Sequence, residues 1–193
     1  MEYIHTMNPV IESSRLYLKR TDVSDVSEKY ISWLNDTRIN RFLELRFEKH
    51  TLSTTLKHIK SVSSQESIAM FSMYALPQKI HIGNIKLGDI RPQHGTAEIG
   101  ILIGDSNYLG RGYGTESIGL VSHLAFNKLG LRRLMAGCYE NNLGSIKAFE
   151  KNGFVREGLL RSHAYYNGTY VNVIRLGLLK SEWTQKLEVN NYV

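Results

Sequence analysis

The stretch Ile99-Gly100-Ile101-Leu102-Ile103-Gly104-Asp105-Ser106-Asn107-Tyr108-Leu109-Gly110-Arg111-Gly112-Tyr113-Gly114-Thr115-Glu116-Ser117 joins three kinds of local chemistry. It begins as an apolar run of strand length and continues into a loop with Gly110, Gly112 and Gly114 at alternate positions. It ends in a helix whose apolar stripe is Ile118, Val121, Ala125 and Leu129. Alternate glycines let the backbone coil tightly and bring successive N–H groups toward one point. The helix adds its unpaired first-turn amides and the positive end of its dipole. Such a place holds a phosphate or pyrophosphate, and Arg111 is the basic side chain nearest to it in sequence. The Rossmann fingerprint G-x-G-x-x-G does not fit the G-x-G-x-G found here, and the Gly-Lys-Ser/Thr of a P-loop is absent. Taken alone, the segment also reads as an ordinary glycine-rich turn.

Working outward, Ser14–Arg20 alternates Leu16 and Leu18 with polar neighbours and predicts a first strand. Asp22–Asp36 predicts a helix capped by Asp22, with Val26, Tyr30 and Trp33 at helical spacing. Arg38–Arg46 and Thr51–Ser64 predict shorter helices. Ile68–Leu76 and Ile80–Ile90 read as strands joined at Pro77-Gln78, and Thr96–Ile103 as another. Tyr113–Leu129 reads as a helix, Arg132–Glu140 as a strand and Asn142–Lys151 as a helix stopped by Asn152-Gly153. Phe154–Tyr166 and Thr169–Leu179 form a hairpin across Asn167-Gly168. The order is that of a mixed α/β fold with antiparallel pairs flanking strand–helix–strand units.

Bulk properties narrow the class. The 193 residues suffice for one domain with a sizeable core, and 42% hydrophobic with 22% charged residues is a globular composition. No apolar stretch approaches the eighteen or so residues of a membrane helix, and Met1–Val10 lacks the basic-then-apolar pattern of a secretory signal. The single cysteine, Cys138, excludes an intramolecular disulfide and fits a cytoplasmic protein. The seven histidines are scattered, so no metal is expected. The net charge of +6 suits a nucleic acid or a polyanionic cofactor. Lys and Arg are dispersed and no RNA-binding aromatic signature is present, so nucleic acid is not the expected partner.

A second constellation, Asn141-Asn142-Leu143-Gly144-Ser145-Ile146-Lys147-Ala148-Phe149-Glu150-Lys151-Asn152-Gly153-Phe154, follows the next strand. Together the two segments resemble the general-control-related N-acetyltransferase (GNAT) superfamily. Its signature is Arg/Gln-x-x-Gly-x-Gly/Ala at a pyrophosphate turn, then an Asn-x-x-Ser/Ala helix ending in Lys-x-Gly-Phe. Gly112 and Gly114 match the first motif; Asn142, Ser145, Lys151, Gly153 and Phe154 match the second. Two positions depart from the pattern. Leu109 stands at the usual Gln/Arg position, and Phe149 stands where many members carry a tyrosine proposed to protonate the departing thiolate.

The resemblance implies a single domain over residues 14–183, with an N-terminal extension 1–13 and a tail 184–193. It also implies a central, mostly antiparallel, twisted sheet of about seven strands, splayed at the cofactor site and flanked by about four or five helices. Acetyl-CoA is the implied cosubstrate. Backbone groups of Ile101, Leu102 and Ile103 would pair with its pantetheine arm, and the turn from Leu109 through Gly110, Arg111, Gly112, Tyr113 and Gly114 to Thr115 would hold its diphosphate. Asn142 would bond the pantetheine amide, Ser145 would face the thiol, and Phe149 and Lys151 would lie on the same side.

Direct transfer to an amine needs that amine neutral. A lysine-like amine of pKa about 10.4 is roughly one part in a thousand neutral at pH 7, a cost of about 4–5 kcal/mol, whereas an α-amino group near 8 costs about 1.4 kcal/mol. Glu98, the lone charge in Thr96–Ile103, is the expected base, acting directly or through water, with a solvent-facing or ion-paired glutamate as the alternative. Ser145 is the expected donor on the thiolate side, as in the ribosomal-protein type of the superfamily; a hydroxyl serving the helix start is the alternative. Cys138 shares a strand face with Leu134 and Ala136 and reads as core. For the acceptor, Trp33, Asn35, Arg41 and Tyr166 are the candidate contacts. The patch Trp33–Asp36 with Arg38, Arg41, Phe42 and Arg46 resembles members acting on amino-sugar nucleotides or protein N-termini. A polyamine acceptor instead calls for acidic residues, and Glu44 and Glu48 interleave with the arginines; the late segment Asn167–Asn172 resembles spermidine-acetylating relatives. An acceptor that is a small molecule or a peptide amine, a monomer or homodimer, and no membrane partner complete the expectations. A non-catalytic acyl-CoA-binding protein is the alternative to an enzyme.

Overall fold

Alternation of buried and exposed residues along successive strands builds a sheet that divides the molecule into two layers of helices. The structure is a computed structural model and describes residues 10–184 and 191–192. Among these, β1 (Ile11–Glu12), β2 (Leu16–Arg20), β3 (Ala69–Ala75), β4 (Ile80–Arg91), β5 (Thr96–Ile103), β6 (Arg133–Tyr139), β7 (Val155–Tyr166) and β8 (Thr169–Leu179) form one sheet in the order β7-β8-β6-β5-β4-β3-β2-β1. Asn191–Tyr192 pairs onto the free side of β1. Every pairing is antiparallel except β5 with β6.

Five α-helices flank the sheet: α1 (Glu28–Asn35), α2 (Thr37–Asn40), α3 (Leu52–Ser63), α4 (Tyr113–His123) and α5 (Leu143–Lys151). On one face, Ile118, Val121 and Phe126 from α4 and its extension, with Ile146 and Phe149 from α5, pack on Ala97, Ile99, Leu134 and Ala136. On the other, Tyr30, Trp33 and Leu34 of α1 and Ile59 of α3 enclose Leu102. Strand β5 therefore serves both layers, with Ala97 and Ile99 toward α4 and Leu102 toward α1.

The mixed α/β architecture and the element order follow the sequence reading, with eight strands and the Asn191–Tyr192 pair in place of about seven. Ile11–Glu12 was expected in the extension; Ile11 pairs with Leu18 and is fully enclosed in the core. Two residues are too few to show a periodicity. Ser13 of the expected extension is buried as well, whereas residues 1–9 of the extension, and all but 184, 191 and 192 of the expected tail, lie outside the described residues. The helix expected over Asp22–Asp36 is broken. Asp22 caps a short 3-10 turn, Val23–Asp25, and Ser27 caps α1 by accepting from the Tyr30 N–H. Asp25 reaches back to the Asp22 N–H at 2.9 Å, closing the first turn on itself before α1 begins. Arg38–Arg46 likewise divides into α2 and a 3-10 turn, Glu44–Phe47, and Tyr113–Leu129 into α4 and a π turn, Leu124–Lys128. The Asn167-Gly168 turn has both residues at positive φ, as the hairpin signal requires.

One contact fixes where α1 sits. A Cβ on Gly104, just past β5, would lie 2.1–2.6 Å from atoms of the Trp33 indole, so only bare backbone lets α1 close on the end of that strand. Lys29 of α1 adds an ion pair to Asp105 at 2.6 Å.

The aromatic layer under α1 also carries a titrating group. His81 lies among Tyr30, Trp33 and Tyr74, with ring centroids 5.1–5.8 Å away and a ring nitrogen 3.0 Å from the Gly83 carbonyl. Burial lowers its pKa below the usual 6.5, against a smaller opposing pull from Asp25. The unfolded chain then binds a proton that the folded chain does not, so stability is complete above about pH 6.5 and falls as the pH drops below it. His58 is lowered by burial in the same sense. The melting temperature is expected to fall between pH 7.5 and 5.5, and His81→Phe to flatten that slope by about half. An unchanged slope in the variant excludes His81 as the source.

Candidate active site

The glycine turn has the geometry of an anion cradle. Gly110 and Gly112 lie at φ +71° and +86°, where a side chain is strained, and together they swing the chain from β5 into α4. Gly112 is the N-cap of α4 and supplies no side-chain acceptor, so no capping side chain competes for the first-turn amides. Gly114 differs. Its φ is not positive, and a Cβ there would meet only Ile101 and Ile103 at 3.6 and 4.0 Å, ordinary contact distances. Nothing in the protein's own packing demands glycine at this point, whereas close approach of a ligand to the backbone does. Leu109 is 53% exposed, Arg111 is exposed, and Tyr113 and Thr115 are half-buried beside the turn. The Asn152 side chain donates to the Thr115 carbonyl at 2.9 Å and ties the end of α5 to the start of α4.

Beside the cradle the sheet opens. Strands β5 and β6 pair only through Thr96–Arg133, Ala97–Leu134 and Glu98–Met135. From Ile99 to Ile103 the edge of β5 that faces β6 has no strand partner, although its other edge stays paired with β4 as far as Gly83–Ile103. An opening bounded by unpaired backbone takes an extended, amide-bearing chain as an added strand. Ile101, Leu102 and Ile103 border it.

Across the opening, Asn142 caps α5 through its Oδ1, which accepts from the Ser145 N–H at 3.3 Å. The helix start is thus served by Asn142, and the Ser145 hydroxyl has a different neighbour. The Cys138 thiol donates to Ser145 Oγ at 3.4 Å, which leaves the serine hydrogen to point elsewhere. Burial pushes the Cys138 thiol up, a direction that suits a core residue and opposes a nucleophile. Phe149 is enclosed at 2% exposure with its ring edge-on to Phe154, centroids 5.0 Å apart, so it belongs to the core under the site. Lys151 stands exposed in the last turn of α5.

On the opposite face of the sheet, Glu98 is held by Arg175 of β8 through two hydrogen bonds of 3.0 and 3.1 Å. The pair spans β6 at Gly137, where a Cβ would sit 2.8 Å from the guanidinium and 3.5 Å from the carboxylate. Glu98 remains 36% exposed, so the ion-paired alternative describes it, and each carboxylate oxygen keeps a second acceptor direction. Nearby, the Tyr139 hydroxyl donates to Glu44 and accepts from Arg46 at 3.0 Å, while Arg46 also donates to the carbonyls of Leu43 and Tyr165. Burial, reinforced by the bond to Glu44, raises the Tyr139 pKa.

The acceptor candidates divide. Trp33 is 4% exposed against Gly104, which makes it a packing residue and corrects its expected contact with the acceptor. Asn35 is also committed: its side chain donates to the Ile31 and His50 carbonyls and accepts from the His50 N–H, pinning the loop before α3. Arg41 is exposed, its guanidinium 5.0 Å from the Phe42 ring, and Tyr166 stacks on Phe42 at 5.2 Å. Arg38 pairs with Asp36 and Arg46 turns inward, so the three arginines do not converge. Sequence reasoning missed Arg175, Gly137 and Tyr139. Arg175 had a signal, being the lone charge in the strand Thr169–Leu179, just as Glu98 is in its own.

Comparison with known proteins agrees with this geometry. Residues 15–155 match the acetyltransferase (GNAT) domain model. The uncharacterized N-acetyltransferase p20 of Bacillus licheniformis is 25% identical over 173 residues, 89% of this chain and 96% of that protein. The spermidine N(1)-acetyltransferase of Vibrio cholerae is 30% identical over 111 residues, 58% of this chain and 64% of that protein. The solved structure of a ribosomal L7/L12 alpha-N-protein acetyltransferase in complex with coenzyme A superposes with a TM-score of 0.78 at 21% identity, covering 88% of this chain and 97% of that one. A mixed sheet that splays beside a glycine turn defines an acyltransferase fold of this type. The chain belongs to the GNAT acetyltransferase family. No helix among the described residues is long and apolar enough to cross a membrane.

The cradle is testable by ligand-induced stabilisation. A ligand at a hundred times its Kd adds about 2.7 kcal/mol, roughly 5–10 °C in a protein of this size. Gly114→Asp is expected to melt within a few degrees of the parent without ligand and to lose the acetyl-CoA shift. A full shift in the variant displaces the cradle from this turn.

Proposed function

We propose that the chain transfers the acetyl group of acetyl-CoA to a primary amine by direct attack within a ternary complex, and that the acceptor is the α-amino group of a protein or peptide. The observation that carries the transfer is the coincidence of the Gly110–Thr115 cradle with the opening between β5 and β6. The first takes a diphosphate and the second an amide-bearing arm, the two parts of coenzyme A that precede its thiol. Backbone amides of the turn hold the diphosphate without help from Leu109, and Ile101–Ile103 with Asn142 line the arm. The Ser145 hydroxyl, oriented by Cys138, offers a hydrogen to the sulfur as the C–S bond breaks. In balance, the amine nitrogen bonds the carbonyl carbon as the C–S bond breaks, nitrogen gives up one proton to Glu98 or water, and the thiolate gains one through the Ser145 hydroxyl, which is reprotonated from solvent.

The state of Glu98 supports the choice of acceptor. A carboxylate already shared with Arg175 suits an amine that needs little help in losing its proton, and an α-amino group costs about 1.4 kcal/mol to neutralise against about 4–5 kcal/mol for a lysine-like amine. Positioning then supplies most of the acceleration, roughly 7–11 kcal/mol in well-oriented systems. An amino-sugar nucleotide, the companion expectation, needs a clamp for its own diphosphate, and Arg38, Arg41 and Arg46 do not form one. A polyamine is the second reading, favoured by the likeness to the spermidine enzyme. A single reduced cysteine suits a cytoplasmic setting for any of these.

Release of free thiol from acetyl-CoA, measured against peptides with free N-termini, polyamines and amino-sugar nucleotides, tests the assignment. Turnover is expected with peptides first; turnover confined to polyamines transfers the function to the second reading. Glu98→Gln is expected to lower kcat by about 10²-fold and to alter the lower limb of its pH profile. An unchanged profile removes Glu98 from proton transfer. Ser145→Ala is expected to lower kcat about tenfold with little change in KM, the value of one hydrogen bond made in the transition state.

A further inference from the structure

Behind the cradle lies a buried charge whose place demands explanation. Glu116 sits in the first turn of α4 at 7% exposure, so its carboxylate occupies the same positive helix end that the turn offers to an anion. Bare, it would oppose a diphosphate. It is not bare. Ser13 Oγ donates to Oε1 at 2.5 Å, and Arg15 donates to Oε2 through Nε at 2.9 Å and through Nη2 as well. The third nitrogen of the same guanidinium, Nη1, donates to the Arg111 carbonyl at 3.3 Å. Its carbon stands 4.8 Å from the centre of the Tyr113 ring, and a Cβ on Gly112 would be 3.5 Å from Nη2. One side chain, arriving from the residue before β2, thus contacts three residues of the turn and its helix.

We infer that Arg15 is a positioning residue for the diphosphate of the acyl donor: it holds the Gly110–Thr115 turn in its receptive shape and cancels the charge of Glu116 behind it. The forked guanidinium is what both tasks require, because a lysine bonds at a single point. With Arg15 replaced by an apolar residue, the carboxylate stays buried behind the cradle with no cationic partner, and the Arg111 carbonyl loses its anchor. The penalty falls on the donor substrate, since the acceptor face lies across the sheet at Glu98 and Tyr139. The inference rests on the proposed function in that it takes acetyl-CoA as the ligand of the turn.

The test compares parent, Arg15→Met, Arg15→Lys, Glu116→Gln and the double variant Arg15→Met/Glu116→Gln, using acetyl-CoA binding by calorimetry, steady-state kinetics and melting without ligand. Arg15→Met is expected to raise Kd and KM for acetyl-CoA tenfold or more, the value of a charge-assisted hydrogen bond, with kcat within about threefold and acceptor KM unchanged. The double variant is expected to recover most of that affinity, because the opposing carboxylate has gone with its partner. Arg15→Lys, expected to fold even where Arg15→Met does not, should fall between parent and Met. Arg15→Met binding like the parent, or a double variant no better than the single one, overturns the inference. So does an effect confined to melting, with KM for acetyl-CoA unaltered in the variants that fold. A parent protein that binds no acetyl-CoA overturns the proposed function as well, whereas parent binding with an indifferent Arg15 overturns this inference alone.

Discussion

The structure turns on the point where two parallel strands stop pairing. Beyond Glu98–Met135 the backbones of β5 and β6 part, each still bonded to its outer neighbour. A sheet left alone would close such an opening, because unpaired backbone groups shielded from water are costly. Here each side is held by its own packing. On the β5 side, Trp33 presses on Gly104 and Lys29 pairs with Asp105, fastening the strand's end to α1. On the β6 side, Tyr139 is bonded to Glu44 and Arg46, and Cys138 to Ser145, fastening that strand to the opposite layer and to α5. The sheet is wedged open by helices that also build the two walls of the site.

Charge within the site is handled in the same way. Glu98 pairs with Arg175 and Glu116 with Arg15, Glu44 lies 3.8 Å from Arg46, and Glu140 accepts from the backbone and side chain of Asn172. The first of these pairs needs a missing side chain: Gly137 lets it cross over β6, where a Cβ would sit 2.8 Å from the guanidinium. Gly137 therefore serves the electrostatics of the site, whereas Gly110 and Gly112 serve its backbone conformation. The net excess of positive charge is spread over the surface, which is why composition pointed to a polyanionic ligand without locating it.

What was legible in the sequence was local. The glycine turn, the Asn142–Phe154 helix and the Asn167-Gly168 hairpin are each encoded within about twenty residues, where spacing alone reveals conformation. What was not legible depends on pairs far apart in the chain. Arg15 meets Glu116 across 101 positions and Arg175 meets Glu98 across 77, and nothing in either local pattern names the partner. Trp33 and Asn35 were misread for a related reason. An aromatic and an amide near the end of a helix look alike whether they face a ligand or close a core, and only the tertiary structure shows Trp33 enclosed on Gly104 and Asn35 occupied by His50.

The two departures from the family pattern can be weighed against the packing around them. Leu109 has an exposed, apolar side chain, so under the proposed function the loss of a family side chain leaves the binding to the backbone amides of Gly110–Thr115. Phe149 is the graver loss, since a proton donor at that position has vanished into the core beside Phe154. A phenol there would need a polar partner in an apolar setting, and the nearest hydroxyl facing the opening from the same helix is one turn earlier, at Ser145. Under the proposed function, the Cys138–Ser145 bond serves that donor role. It occupies the serine oxygen as an acceptor and frees its hydrogen as a donor, which is the arrangement that a departing sulfur needs.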